Sequence, residues 1–352
     1  MRLADDVAEP EPPGPGWHVL RPRLAGICGS DLATLDGHSS RYFEPIVSFP
    51  FTPGHEVVGE LDDGTRAVLI PVLSCEARGV EPMCPQCREG RINRCERIAF
   101  GHLEPGLQTG FCETTGGGWG TRLIAHDSQL VPVPEGLGDE AAVVVEPTAC
   151  AVHAARVVLE RDPVAVAVVG SGALGLLLVA ALRYLGSGAT IVATAKHPDQ
   201  RRRVTELGAD RVVEPGALER VTRSVTGSWL VGGRPTGGFP VVADCVGSAD
   251  SITQSLAVAA PGAEVVLVGM PGHVALDLTP VWHRETALRG CYAYDRSDFD
   301  AALDLVAGAD LGRLVSATYP LDRYRDAVAH AAEAGRRGAV RIAFDLRTER
   351  HR

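Results

Sequence analysis

Residues 164–186, "VAVAVVGSGALGLLLVAALRYLG", decide the fold. A valine-rich run ends in Gly170, Gly172 and Gly175, spaced G-x-G-x-x-G, and a second apolar run follows at helical spacing. Strand, tight turn, then helix is the setting in which that spacing cradles a dinucleotide. Gly170 permits the turn, Gly172 lets the backbone approach a pyrophosphate, and Gly175 lets helix and strand pack closely. The helix opens at Ala173 and Leu174, where unpaired N–H groups face the phosphates. "ATIVATA" (189–195) reads as the next strand, and an NAD site places a carboxylate about 20 residues past the glycines. Thr194 stands there instead, followed by Lys196, His197 and Arg201, groups suited to a 2′-phosphate. This favours NADP(H), with NAD(H) held through backbone contacts as the alternative.

Working outward, "FPVVADCVG" (239–247) and "GAEVVLVG" (262–269) are again apolar and β-branched without polar alternation. Such strands are buried on both faces, so the expectation is a parallel sheet between helix layers. Val246, Val268 and Gly269, at the ends of these strands, complete the expected cofactor contacts. Upstream the texture differs. "WHVLRPRLAGI" (17–27), "HEVVGEL" (55–61), "RAVLIPVL" (66–73) and "RLIAHDSQLVPVP" (122–134) are short strands separated by Gly-, Pro- and Cys-rich loops. A closing strand, "AVRIAFDL" (339–346), ends the chain.

A chain of 352 residues is expected to form two domains. Its net charge of −10 argues against a nucleic acid or an acidic membrane surface as partner. No run of about 20 apolar residues is free of charge or Pro/Gly interruption, so no membrane span is expected. The acidic, proline-rich start is unlike a signal peptide, which points to the cytoplasm. Nine cysteines, an odd number, then imply metal binding for the clustered ones rather than a disulfide framework.

Two groups of residues suit a metal. Cys28 ends a strand, His55 and Glu56 precede another, and Glu146 opens a helix. A thiolate, an imidazole and a carboxylate suit zinc, and three protein ligands leave a fourth position open. Each alone also fits a duller reading: a packed thiol, a loop histidine, a carboxylate at a helix start. The second group is Cys75, Cys84, Cys87 and Cys95, the last three spaced C-x2-C-x7-C.

"GICGSD" (26–31), "PGHEVVG" (53–59), "VEPTACAVHA" (145–154), "VVGSGALG" (168–175) and "DCVG" (244–247) stand in an order that resembles the zinc-dependent medium-chain dehydrogenases/reductases, of the alcohol, polyol and threonine dehydrogenase kind. The resemblance covers nearly the whole chain. It implies an α/β protein: a GroES-like β catalytic domain (1–146, with a C-terminal return, 293–352) and a doubly wound Rossmann domain (147–292). It implies that Cys28 and His55 bind catalytic zinc, with Glu146 as third ligand or a neighbour through water, and Glu56 able to replace that water. Ser30 falls where a hydroxyl touches the substrate oxygen and starts a proton relay. The four clustered cysteines fall where the family carries a structural zinc. Here "EARGVEPM" (76–83) lengthens the first interval, which leaves Glu81 as an alternative to Cys75 and a metal-free lobe as another.

Three departures from the family pattern stand out. Ala33 occupies the place of a relay histidine, leaving His38 or water to substitute. The customary first strand is absent, so the β domain is expected to lack an edge strand or to borrow one. "ETTGGGWGTR" (113–122) is unusually rich in glycine, and its Trp119 either lines the cleft or packs in the core.

The implied activity is reversible hydride transfer between an alcohol carbon and NAD(P). Aromatics are scarce, and Ser30, Asp31, Thr34, His38, Arg41 and Glu56 are polar, so a polyol, sugar or cyclitol is the expected small-molecule substrate. The alternatives are a zinc-free double-bond reductase and a non-catalytic nucleotide-binding protein. A homodimer or homotetramer is expected through "GAEVVLVGMPG" (262–272) and "ETALRGCYAYD" (285–295).

Overall fold

The computed structural model describes residues 1–4 and 6–347. The strands are, in chain order, β1 Trp17–Gly26, β2 Val57–Glu60, β3 Arg66–Leu69, β4 Leu123–His126 and β5 Leu130–Pro132. Next come β6 Ala165–Val169, β7 Thr190–Thr194, β8 Arg211–Val213, β9 Leu230–Val231 and β10 Arg234–Pro235. The last are β11 Phe239–Asp244, β12 Ala259–Leu267, β13 Ala287–Gly290, β14 Val315–Tyr319 and β15 Arg341–Asp345. The chain divides into two compact units: Met1–Ala149 with the segment from Tyr294 onward, and Cys150–Ala293.

In the first unit the sheet runs β14-β15-β1-β2-β3-β5, with β4 also on β1. β1 is long enough to take different partners along its length. Trp17–Leu20 pair with β4, and Leu24–Gly26 pair with β15. The C-terminal strand thus returns to the first unit's sheet beside β1. Leu20, Ala25, Val57, Leu69, Leu123 and Phe344 form its core.

Trp119 belongs to that core. Its Nε1 donates to the Gly26 carbonyl at 3.1 Å, and its ring meets Phe344 edge-on with centroids 5.1 Å apart. The glycines before it have a packing cause: a Cβ on Gly117 would collide with the Thr52 carbonyl, and one on Gly54 with the Trp119 ring.

The second unit is a six-stranded sheet, β13-β12-β11-β6-β7-β8, with every neighbour parallel. All five residues of β6 are buried, as expected of a strand covered on both faces. The strand order reverses between β6 and β11, the switch point at which such sheets bind ligands beyond their carboxyl ends. The stretch Asp139–Leu159 is long and apolar enough to span a membrane, but 83% of its apolar window is buried, which marks a core element.

Candidate active site and metal centres

The nucleotide loop is built at the switch point. Gly170 adopts φ +93°, and a side chain there would also strike Val246. Nothing lies within 4 Å of where a Gly172 Cβ would be, so that face is open to a ligand. A Cβ on Gly175 would collide with the Gly170 carbonyl, so the third glycine seats the helix Ala173–Tyr184 against the turn. Each glycine therefore meets the demand its position carries in a pyrophosphate loop.

Thr194 ends β7 and is buried; its Oγ1 accepts from the Gly170 N–H at 2.8 Å, while Ser171 Oγ donates to the Thr194 carbonyl at 2.8 Å. The side chain expected near the ribose is thus spent on fixing the glycine turn. Lys196 is exposed just beyond it, and His197 is half-buried before the helix Pro198–Glu206. Arg201 donates to the Ala195 and Lys196 carbonyls and to Glu214, 3.2 Å away.

Asp244 explains the "DCVG" turn. Fully buried, its Oδ1 accepts from the Val246 and Gly247 N–H groups at 2.8 and 2.9 Å and from Ser251 Oγ at 3.1 Å. Its carbonyl accepts from the Val268 and Gly269 N–H groups. One residue, through its carboxylate and its carbonyl, therefore fixes Val246, Val268 and Gly269 together beside the glycine turn.

In the first unit, β1 ends at Gly26 and the helix Gly29–Leu35 begins just past Cys28. Ligand atoms of Cys28, His55 and Glu56 lie within 4.8 Å of one another. Asp31 holds this group: Oδ2 accepts from the Cys28 N–H at 2.9 Å, and Oδ1 faces His55 Nδ1 at 3.3 Å. With Nδ1 turned to Asp31, Nε2 is the nitrogen left for a metal. Burial opposes a charged imidazole at His55, but the Asp31 carboxylate and Cys28 outweigh it and raise the pKa well above the ordinary value. Burial likewise raises the Cys28 thiol, yet the neighbouring His55 leaves it lowered overall.

Glu56 pairs with Arg341 of β15, both buried. Only a glycine at position 26 lets them meet, because a Cβ there would collide with Glu56 Oε2. Glu56 Oε2 is the oxygen that meets Arg341 Nη2, which restrains the carboxylate beside Cys28 and His55. A soft thiolate, an imidazole and a carboxylate gathered in one group fit zinc.

Of the two expected carboxylates, Glu56 stands in the group with Cys28 and His55, while Glu146 is buried in the first turn of the helix Val145–Leu159. Ser30 is half-buried in the first turn of Gly29–Leu35, whereas His38 and Arg41 are exposed. Asp31, expected among substrate contacts, is buried beneath the metal group. No sequence signal marked Arg341, which reaches the site only because β15 pairs with β1.

The second cluster is closed. Sγ atoms of Cys75, Cys84, Cys87 and Cys95 lie within 4.8 Å of one another, all buried, with Cys75 and Cys95 at 3.7 Å. Zinc–sulfur bonds of about 2.3 Å in a tetrahedron separate sulfurs by about 3.8 Å. N–H groups of Cys84, Cys87 and Arg97 donate to the sulfurs of Cys75, Cys84 and Cys95 at 3.4 Å each. Burial raises the Cys84 thiol, but the backbone N–H groups of Glu96 and Cys87 and the neighbouring Cys87 and Cys75 thiols outweigh it and leave the pKa at about 7. Cys75 takes part, and Glu81 is exposed outside the cluster.

The inserted residues 76–83 coil so that the Val80 N–H donates to the Cys75 carbonyl at 2.9 Å. Arg78, fully buried, then donates to the carbonyls of Leu73, Phe100, Leu103, Glu104 and Gly106. Outside the two groups, Cys112 is fully buried, while Cys245 and Cys291 are half-buried beside the nucleotide turn and after β13.

Comparison with known proteins agrees with this architecture. Residues 14–135 match the alcohol dehydrogenase GroES-like domain, and residues 173–308 match the zinc-binding dehydrogenase domain. The chain is 25% identical to sorbitol dehydrogenase of Bacillus subtilis (strain 168) over 338 residues, covering 90% of this chain and 86% of the relative. It is 28% identical to L-idonate 5-dehydrogenase (NAD(P)(+)) of Escherichia coli (strain K12) over 330 residues, covering 91% and 89%. A zinc-binding dehydrogenase structure from Sinorhizobium meliloti 1021 bound to NADP superimposes with a TM-score of 0.75 at 27% identity, covering 96% and 94%. Two matched domains, the nucleotide turn and the cysteine–histidine–carboxylate group converge: the chain belongs to the zinc-type medium-chain dehydrogenases/reductases.

Proposed function

We propose that this enzyme is a zinc-dependent, NADP-preferring dehydrogenase of secondary alcohols in the polyol, sugar or cyclitol class. The gathering of ligand atoms from Cys28, His55 and Glu56 within 4.8 Å of one another carries the reading. Relatives named as sorbitol and L-idonate dehydrogenases support the substrate class. Lys196 and Arg201, with no carboxylate at Thr194, support the 2′-phosphate. Four thiols reserved for a metal suit the reducing cytoplasm.

Zinc at this group would supply a Lewis acid for the alcohol oxygen, and the nicotinamide would accept the hydride. The chain's own residues do the rest. Cys28, His55 and Glu56 hold the metal, Asp31 fixes the ring of His55, and Arg341 restrains Glu56. Ser30, two residues past Cys28 at the helix start, takes the alcohol proton and passes it toward solvent through His38 or water. Cys75, Cys84, Cys87 and Cys95 hold a second zinc that stabilises their lobe and takes no part in the chemistry. Self-association is assigned to β13, the open edge of the second sheet.

Elemental analysis of protein purified without added metal, alongside Cys28→Ser, tests this. The expected result is about two zinc ions per chain falling to about one, with NADP-linked alcohol oxidation lost. A single zinc that survives the substitution would remove the catalytic metal from the mechanism.

A further inference from the structure

Aromatic residues make up only 5% of the chain, yet three of its eight phenylalanines stand in one file that begins at the metal group. The Phe111 ring lies 5.8 Å from the His55 ring, Phe51 lies 5.3 Å from Phe111, and Phe49 lies 5.0 Å from Phe51. Exposure rises along the file, from 8% at Phe111 through a partly buried Phe51 to 66% at Phe49. The backbone places the inner ring deliberately. Gly110, at φ +86°, packs so tightly on Gly54 that any Cβ would strike it, and this sets Phe111 beside His55.

We propose that this file receives the carbon skeleton of the substrate beyond its reacting carbon. It selects alcohols that present a C–H face, namely ring-shaped ones, over open-chain polyols. The inference rests on the reading above that the metal group binds the alcohol oxygen. Phenylalanine rings offer no hydrogen-bond partner, so a hydroxyl pressed against them loses water without replacement. An open-chain polyol carries a hydroxyl on every carbon and pays that penalty wherever it lies along the file. A six-membered ring with equatorial hydroxyls keeps them at its rim and its C–H bonds on its faces, where burial against the phenyl rings is favourable. Thr34 and Asp31, two of the polar groups a polyhydroxyl chain could use, are turned to Ser39 and to His55 instead.

The test measures kcat/KM of the zinc-loaded enzyme with NADP+ for cyclohexanol, 2-propanol and sorbitol, in the natural protein and in Phe51→Ala and Phe49→Ser. The expected cyclohexanol/2-propanol ratio is about ten or more, with sorbitol below cyclohexanol. Phe51→Ala should cut that ratio about five-fold or more, mainly through KM, and the exposed Phe49→Ser should cut it by less. A ratio near one, or one that neither substitution moves while 2-propanol is still oxidised, would overturn the inference alone. Failure to oxidise any of the three would overturn the alcohol dehydrogenase reading and this inference with it.

Discussion

Lys196 is the only lysine among 352 residues, and it stands exposed directly after β7. Among the described residues it makes no ion pair, while its neighbour Arg201 is already tied to Glu214 and two carbonyls. A compact ammonium free to turn is a ready partner for a phosphate monoester. Lys196→Ala should weaken NADP+ binding about ten-fold and leave NAD+ nearly unaffected. The lone lysine also permits a direct readout: pyridoxal phosphate labelling of Lys196, followed by peptide mass spectrometry, should be blocked by NADP+ and not by NAD+. Equal protection by both would assign the site to NAD. At this scale the nucleotide turn was fully legible, because each glycine's duty is set by its immediate neighbours. Thr194 was not: the sequence marks a missing carboxylate, but only the fold turns its hydroxyl to the Gly170 N–H.

The element that begins at Asp139 is fastened to the first unit's sheet by charge. Asp139, 5% exposed, accepts from Arg23 Nε and Arg66 Nη1 at 2.8 Å each. Burial raises its pKa, the two guanidinium groups outweigh burial, and the carboxyl ends below its ordinary value. A depressed carboxylate contributes stability that is complete above its unfolded pKa, about 3.9, and is lost as pH falls through the lower folded value. Asp139→Asn should therefore lower unfolding free energy by about 3 kcal/mol at pH 7 in denaturant titrations. Natural and variant stabilities should converge below about pH 3. A constant difference across that range would mean that packing, not the ion pairs, fastens the helix.

The cysteine lobe is the same lesson in another element. The spacing of Cys84, Cys87 and Cys95 was readable, because three ligands close together in sequence need little tertiary help. Membership of Cys75 was open until the inserted residues coiled back and Arg78 bound five carbonyls.

At the scale of the whole molecule, β13 is the unpaired edge of the second sheet, with Leu288 and Tyr292 exposed on and beyond it and Trp282 80% exposed shortly before. Open edges flanked by apolar side chains pair readily with a second copy, and two-fold pairing closes the assembly. Light scattering should give at least a dimer, and Leu288→Asp should shift it to the monomer mass while the circular dichroism spectrum stays unchanged. A monomeric natural protein would remove β13 as an interface.

The sequence by itself determined the two-domain α/β architecture, the pyrophosphate turn, the cysteine spacing and the candidates Cys28 and His55. All of these rest on period, spacing or short-range backbone geometry, which a chain carries locally. Only the tertiary structure decided that Glu56 gathers with Cys28 and His55, that Arg341 restrains it, that Trp119 is core, and that three phenylalanines line up beside His55. Those outcomes depend on β15 pairing with β1 and on glycine contacts at Gly26, Gly54 and Gly110. They join segments far apart in the chain, and no local pattern encodes which segments will meet.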